Sequence, residues 1–204
     1  MKKISIGIVG AGLITDTYLS IIKKTKLFEV LAIASRTVSK AKNISKKYGI
    51  KNYYDSYLEM INKNNLDGIF ILVSADQVYK VTNEILDFKI PLFLEKPPGL
   101  SYKEASTLAK KAKKKKVLNM VCFNRRFYSN FEKGLNLISS KGKLLGVSIE
   151  GHERFWNLKK YKNKKILEAW IYANSIHTID LLRFFGGEIS RVFSVKNSLN
   201  QKNG

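Results

Sequence analysis

The sequence has one cysteine, three prolines and two histidines, and it lacks any long hydrophobic run. A single cysteine, Cys122, excludes an intrachain disulfide framework and a cysteine zinc cluster, and we expect no metal site. No apolar stretch approaches the roughly 18 residues that cross a bilayer. The N-terminus enters a strand-like pattern without a small-residue cleavage site. These absences predict a cytoplasmic protein with no membrane partner.

Acidic residues are also scarce, because 16 Asp and Glu stand against 37 Lys and Arg and give a net charge of +21. Such a balance raises nucleic acid as a partner. However, only six of the basic residues are Arg, and the densest run, at 110–116, closes an amphipathic helical pattern without aromatic residues for base stacking. We expect a solvated face there and no nucleic-acid partner, and a basic nucleic-acid binder remains the alternative.

Apolar runs of strand length alternate with helical patterns in the first part of the chain, which is typical of βαβ units around a parallel sheet. The strands are predicted at 4–9, 30–34, 52–54, 68–73, 90–94 and 117–123, with helices at 13–24, 39–48, 57–62, 77–88 and 102–115. Because these strands are apolar on both faces, we predict a doubly wound Rossmann domain over 1–123.

The pattern changes after residue 123. It predicts a helix at 128–139, an alternating strand at 145–155, a helix at 176–185 and a last strand at 191–198. Residues 124–204 are therefore expected to form an incomplete α+β domain.

The first strand ends in a glycine turn, Gly10-Ala11-Gly12, which opens a helix at Leu13 and Ile14. Gly10 permits the tight turn, and Gly12 lets the backbone approach a pyrophosphate, which the N–H groups of the helix N-terminus then bind. Thr15 replaces the third small residue of the fingerprint. This context predicts a dinucleotide site, and a glycine turn without ligand is the alternative.

The second strand is followed by Ser35 and Arg36 where an NAD-specific fold usually places an acid. An arginine can instead pair with the 2′-phosphate of NADP, to which Ser35 can also donate. We therefore expect NADP as cofactor, with NAD possible.

The fifth strand ends in Glu95-Lys96-Pro97-Pro98. A lysine at the carboxyl end of a parallel strand lies at the cofactor crevice, where its ammonium can orient a substrate hydroxyl and move a proton. At the start of the second domain, Arg125 or Arg126 either clamps an anionic substrate group or forms an interdomain salt bridge.

The sequence resembles the Gfo/Idh/MocA family of NAD(P)-dependent sugar and cyclitol oxidoreductases. The resemblance lies in four motifs in this order: the glycine turn, Ser35-Arg36, Glu95-Lys96-Pro97 and the run from Phe123 to Phe127. The likeness covers residues 4 to about 190. It implies that the domain at 124–204 holds the substrate and often the subunit contacts. It also implies a catalytic pair, Lys96 and His177.

The same resemblance places Asn174 at the substrate. Family dehydrogenases often carry an aspartate where this chain has Ala173, so His177 works with Lys96 alone, or Asn174 and Asp180 replace part of the network, or His177 is structural. Ser74 stands near the nicotinamide side of the cofactor, although the Thr-Pro-Asn that is usual there is absent.

The sequence thus predicts an oxidoreductase that transfers a hydride between NADP and a sugar, sugar-nucleotide or cyclitol carbon. The alternative is a truncated, silent or partner-dependent dinucleotide-binding protein, because family members are considerably longer. We expect a homo-oligomer, or a partner chain that completes the second domain.

Overall fold

The structure is a computed structural model that describes residues 2–151 and 163–195. Six strands form one sheet. Their bounds are β1 Ile4–Val9, β2 Phe28–Ala34, β3 Asn52–Tyr54, β4 Gly68–Ile71, β5 Leu92–Leu94 and β6 Asn119–Val121. All strand pairs are parallel, and the spatial order is β3-β2-β1-β4-β5-β6. This is the order of a Rossmann fold, and the prediction of that fold is confirmed.

Eight α-helices lie in the described residues. Their bounds are α1 Leu13–Thr25, α2 Val38–Tyr48, α3 Tyr57–Lys63, α4 Ala75–Ile85, α5 Tyr102–Lys115, α6 Ser129–Lys141, α7 Lys164–Glu168 and α8 Ile176–Gly186. Capping fixes several of these starts. The Ser101 hydroxyl, at the N-cap of α5, accepts from the Glu104 N–H, and the Glu104 carboxylate accepts from the Leu100 N–H, so both side chains fix the start of this helix.

The sheet is covered on both faces, as its continuous apolar strands require. On one face Ile8 and Ile33 pack with Leu19 of α1 and Ala41 of α2. On the other face a larger cluster joins the sheet to α3, α4 and α5, and it includes the fully buried Met60. Because the helices are packed on both faces, the loops at the carboxyl ends of the strands are left to build a site.

The chain groups into two compact units. The first contains 1–123 and 153–176, and the second contains 124–152 and 177–204. Within the described residues, the second unit holds α6, α8 and a short 3₁₀ turn, Asn124–Phe127. The helix predictions at 128–139 and 176–185 are confirmed.

The two strands predicted in the second unit are not formed where the structure describes them. Residues 145–151 and 191–195 have no strand structure, and 152–155 and 196–198 lie outside the described residues. The alternation that predicted these strands is present, but a strand also needs hydrogen-bonded neighbours. Leu145, Phe193 and Val195 are each more than nine-tenths exposed.

In the described residues, no helix has the length and apolar character needed to cross a membrane.

Candidate functional site

A cavity of about 320 Å³ opens at the carboxyl end of the sheet, where β1 and β4 are neighbours. This is the point at which the strand order reverses, and open α/β sheets bind ligands there. Five of the nine predicted cofactor residues line the cavity, namely Gly10, Gly12, Ser35, Arg36 and Ser74. The other four, Leu13, Ile14, Glu95 and Lys96, are not among its lining residues. The five predictions that fall on this one cavity come from separate motifs.

The glycine turn forms the floor of this cavity, and its two glycines differ in what they need. Gly10 has φ +114°, and a Cβ there would lie 2.2 Å from the Leu72 carbonyl oxygen, so only glycine fits. A Cβ on Gly12 would meet no atom within 4 Å. The absence of a side chain at Gly12 is therefore not required by the protein's own packing.

Thr15 takes the place of the third small residue of the fingerprint and is completely buried. Its hydroxyl donates to the Gly10 carbonyl oxygen at 3.1 Å, so the buried polar group is satisfied and fixes the turn. Leu13 and Ile14 form the first turn of α1, where Gly12 is the N-cap and provides no side-chain acceptor.

These features fit a dinucleotide. The space above Gly12 admits a group that approaches the backbone, and the N-terminal amides of a 13-residue helix begin at that point. Such amides bind a pyrophosphate well because their partial positive charge meets its negative charge. The cradle at Gly12 would be filled by any side chain, which is the expected property of a pyrophosphate site.

Basic side chains outnumber acidic ones in the lining of the cavity. Arg36, just after β2, lines it together with Lys40 of α2 and Lys80 of α4, and the acidic lining residue is Asp55. The Ser35 hydroxyl accepts from the Thr37 N–H at 3.4 Å. Sequence reasoning did not identify Lys40 in α2, Asp55 in the loop after β3 or Lys80 in α4. None of these segments contains a dinucleotide-binding motif.

The far wall of the cavity comes from α3 and α4. Tyr57 lines it, and its hydroxyl donates to the Glu84 carboxylate at 2.5 Å. Burial raises the pKa of Tyr57 to about 12, and the Glu84 carboxylate adds to the effect. Ser74, the N-cap of α4, lies at the cavity with an exposed side chain.

Glu95 and Lys96 follow β5 at the same edge of the sheet. The Lys96 ammonium donates to the Ala173 carbonyl oxygen at 2.8 Å, and the Lys96 N–H donates to Glu95 Oε2 at 3.2 Å. Glu95 Oε1 accepts from the Tyr18 hydroxyl at 2.8 Å. Sequence reasoning missed Tyr18, since 77 residues separate it from Glu95.

Tyr18 also lies against the lone cysteine. Its hydroxyl oxygen is 2.6 Å from Cys122 Sγ, and Cys122 is buried, as expected. Burial, followed by the contacts to Cys122 and Glu95, raises the pKa of Tyr18. The phenol is therefore a neutral donor at physiological pH.

Ala173 and Asn174 belong to a π-helical turn, Ile171–Ser175. Such turns occur often at functional sites, because they displace the backbone from the regular helical path. Here the Ala173 carbonyl receives the Lys96 ammonium. Asn174 is half-buried.

The remaining predicted residues belong to the second unit. His177 is buried in the first turn of α8. Asp180, a candidate partner for His177, accepts from the Arg126 guanidinium through both carboxylate oxygens. Both residues of this pair belong to the second unit, so this ion pair is not the interdomain salt bridge that the sequence offered as one alternative. Arg125 is half-buried in the 3₁₀ turn.

No cluster of three or more His, Cys, Asp or Glu side chains suited to a metal ion occurs in the described ranges 2–151 and 163–195.

The strand order of this parallel sheet, with a glycine turn at its reversal point, defines a protein of the Rossmann class. Comparison with known families identifies it further: residues 4–123 match the GFO_IDH_MocA oxidoreductase family, described as having an NAD-binding Rossmann fold. The chain belongs to this family.

Curated relatives include a 4-carboxy-2-hydroxymuconate-6-semialdehyde dehydrogenase of Sphingobium sp., 22% identical over 98% of this chain and 64% of that protein. The myo-inositol 2-dehydrogenase of Thermotoga maritima is 26% identical over 63% of this chain and 38% of its own length. The chain thus spans less than two thirds of these relatives.

Solved structures share the fold. A dehydrogenase from Chromobacterium violaceum has a TM-score of 0.80 at 22% identity and covers 97% of this chain and 59% of its own. An Agrobacterium radiobacter oxidoreductase in complex with NAD+, L-tartaric acid and magnesium has a TM-score of 0.77 at 18% identity, over 96% of this chain and 59% of its own.

Proposed function

We propose that this chain binds NADP and serves an oxidoreductase that acts on a CH–OH group of a sugar, sugar nucleotide or cyclitol. The observation that carries the proposal is the cavity at the glycine turn, with its open approach to Gly12 and its basic wall at Arg36 and Lys40. The family's NAD-binding fold and relatives such as myo-inositol 2-dehydrogenase support the reaction class.

The preference for NADP rests on charge. Three cations, Arg36, Lys40 and Lys80, line the cavity against one carboxylate, Asp55. A ribose 2′-hydroxyl calls for an acceptor at the end of β2, whereas a 2′-phosphate calls for cations. The position directly after Ser35 holds a cation, so the 2′-phosphate is the better match.

Bound NADP supplies hydride exchange with the substrate carbon. The protein's own part is to orient the hydroxyl on that carbon and to move its proton. Lys96 is our choice for the first task, because it follows β5 at the edge of the sheet where the cavity opens and its ammonium is held at the Ala173 carbonyl. His177 is our choice for the proton acceptor, and Arg125 and Asn174 for further substrate contacts.

Fluorescence titration with NADPH and NADH tests the cofactor. Arg36→Ala and Lys40→Ala should each lower NADPH affinity by about 10- to 150-fold, the range for a hydrogen bond to a charged group, and leave NADH affinity nearly unchanged. Lys47→Ala is a matched control, because Lys47 also lies on α2 but pairs with Asp16 outside the cavity. Equal losses for both dinucleotides would refute the NADP preference.

Turnover tests the reaction. A panel of cyclitols, free sugars and sugar nucleotides, each with NADP+, is followed by the absorbance of reduced nicotinamide. Activity on any one class identifies the substrate.

The second candidate is a silent or partner-dependent dinucleotide-binding subunit. The exposed apolar side chains of the second unit, Leu145, Phe193 and Val195, favour it. Tight NADPH binding without turnover on the whole panel would support this candidate over the first.

A further inference from the structure

The junction of α1 with the end of β5 contains a polar contact that the proposed chemistry does not use. The Tyr18 hydroxyl donates to Glu95 Oε1 at 2.8 Å. The Tyr18 ring meets Phe70 and Phe93 edge-on, with centroids 6.4 Å and 5.7 Å away. These ring contacts would persist with phenylalanine at position 18, so the hydroxyl serves its polar contacts, to the Glu95 carboxylate and to Cys122 Sγ at 2.6 Å, rather than the ring packing.

Glu95 links Tyr18 to the neighbouring residue, Lys96. The Glu95 backbone N–H donates to the Ile71 carbonyl oxygen at 2.9 Å, which ties Glu95 to the end of β4. Its second carboxylate oxygen, Oε2, accepts from the Lys96 N–H at 3.2 Å. One carboxylate therefore joins Tyr18 to the backbone of Lys96, and its orientation is set at Oε1.

Lys96 is held at both of its ends. The backbone is held through Glu95, and the ammonium donates to the Ala173 carbonyl oxygen at 2.8 Å. If the Glu95 carboxylate were free to rotate, the backbone at Lys96 would lose one of these two restraints. A displacement of a reacting group by about 1 Å can cost about a hundredfold in rate.

We propose that Tyr18 is a positioning residue, which acts through the Glu95 carboxylate to fix the backbone of Lys96. Tyr18 lies on α1, the helix whose N-terminus forms the glycine turn, so one helix both faces the dinucleotide cavity and sets the position of Lys96. The part of this inference that concerns catalysis rests on the proposed function of Lys96. The hydrogen bond between Tyr18 and Glu95 does not depend on that proposal.

Hydrogen exchange of the Lys96 amide, followed by mass spectrometry, tests the positioning without any substrate. Pro97 and Pro98 have no N–H, so a peptide across this turn reports chiefly on Lys96. Tyr18→Phe should accelerate exchange at Lys96 by about fivefold or more, because the carboxylate that protects this amide loses its anchor. Glu95→Gln should accelerate it as well and serves if Tyr18→Phe does not fold.

Tyr48→Phe is the matched control. Its hydroxyl donates to Asp16 at 2.8 Å, a residue of the same helix α1, but makes no described contact with Glu95. This variant should leave Lys96 exchange within about twofold of the wild type. Equal acceleration by both variants would indicate general loosening of α1 and would overturn the proposal, as would unchanged exchange in a folded Tyr18→Phe protein.

Kinetics separates a positioning role from a purely structural one. With a substrate from the panel, Tyr18→Phe should lower kcat about tenfold and leave KM for substrate and NADPH affinity within about twofold. Loss of NADPH affinity with unchanged kcat would contradict the proposal. If wild-type protein bound no dinucleotide, the proposed function would fail, while the exchange result would still decide whether Tyr18 positions Lys96.

Discussion

Replacing Gly12 with valine separates the needs of the fold from the needs of the ligand. Gly12 has φ −95° and ψ −175°, an extended conformation that valine adopts readily, and a Cβ there meets no atom within 4 Å. The main cost to the free protein is a poorer helix N-cap, about 1 kcal/mol. For a chain of this size, such a loss lowers Tm by about 2–4 °C.

The ligand should respond much more strongly. The valine side chain occupies the approach to the first amides of α1, where hydrogen bonds to a charged pyrophosphate contribute about 1.5–3 kcal/mol each. Loss of one such bond weakens binding about 10- to 150-fold, for NADPH and NADH alike, because both carry the pyrophosphate. Calorimetric titration measures the affinity, and urea unfolding measures the stability.

Two further glycines serve as controls. Gly134, on α6, also has open space at its Cβ but lies outside the cavity, so Gly134→Val should leave dinucleotide affinity unchanged. Gly10→Ala should instead destabilise the fold by about 3 kcal/mol or more, from backbone strain and the clash with the Leu72 carbonyl. A folded Gly12→Val protein with wild-type affinity would refute the dinucleotide site.

Further variants test the catalytic and structural assignments. Lys96→Met and His177→Ala should each slow hydride transfer in single-turnover experiments by about a hundredfold or more. The NADPH affinity of both variants should stay within a few-fold of the wild type. A near-normal rate for His177→Ala would leave His177 with a structural role. Arg126→Met should cost about 3 kcal/mol in urea unfolding, because it leaves the buried Asp180 carboxylate unpaired, and Asp180→Leu in the same chain should recover much of the loss. The pKa of Tyr57 is raised to about 12 in the folded protein, against about 10 in the unfolded chain. The neutral phenol therefore stabilises the fold fully below about pH 10, and this stabilisation is lost as the pH rises toward 12. The difference in stability between wild type and Tyr57→Phe should shrink over that interval.

Local patterns in the sequence were sufficient to predict the Rossmann fold and the residues that follow the strands. Gly10, Gly12 and Arg36 come directly after apolar strands, and the carboxyl ends of parallel strands meet at one edge of the sheet. Lys40 and Tyr57 also line the cavity, but they lie inside helices, where a lysine or tyrosine resembles any other surface residue. Predicting them requires the direction in which α2 and α3 leave the sheet.

Contacts between distant segments could not be predicted at all. The Tyr18 hydroxyl and the Glu95 carboxylate are 77 residues apart, and no periodicity links them. The spacing of His177 and Asp180 suggested a local pair. Arg126, 54 residues from Asp180, instead occupies both carboxylate oxygens, because a guanidinium can donate two parallel hydrogen bonds.

The two strand predictions in the second unit were wrong for a physical reason that also bears on function. Alternation shows which face of a strand is apolar, but the strand forms only when another strand supplies hydrogen bonds and a cover. In the first unit each strand has such a neighbour, whereas Leu145, Phe193 and Val195 are left exposed. Burying one such side chain contributes about 1.5–3 kcal/mol, so covering all three would offset part of the cost of associating with another polypeptide. We propose that the dinucleotide site lies in the first unit and that His177, in the second, accepts the substrate proton, so we expect that dinucleotide binding and turnover can be lost separately.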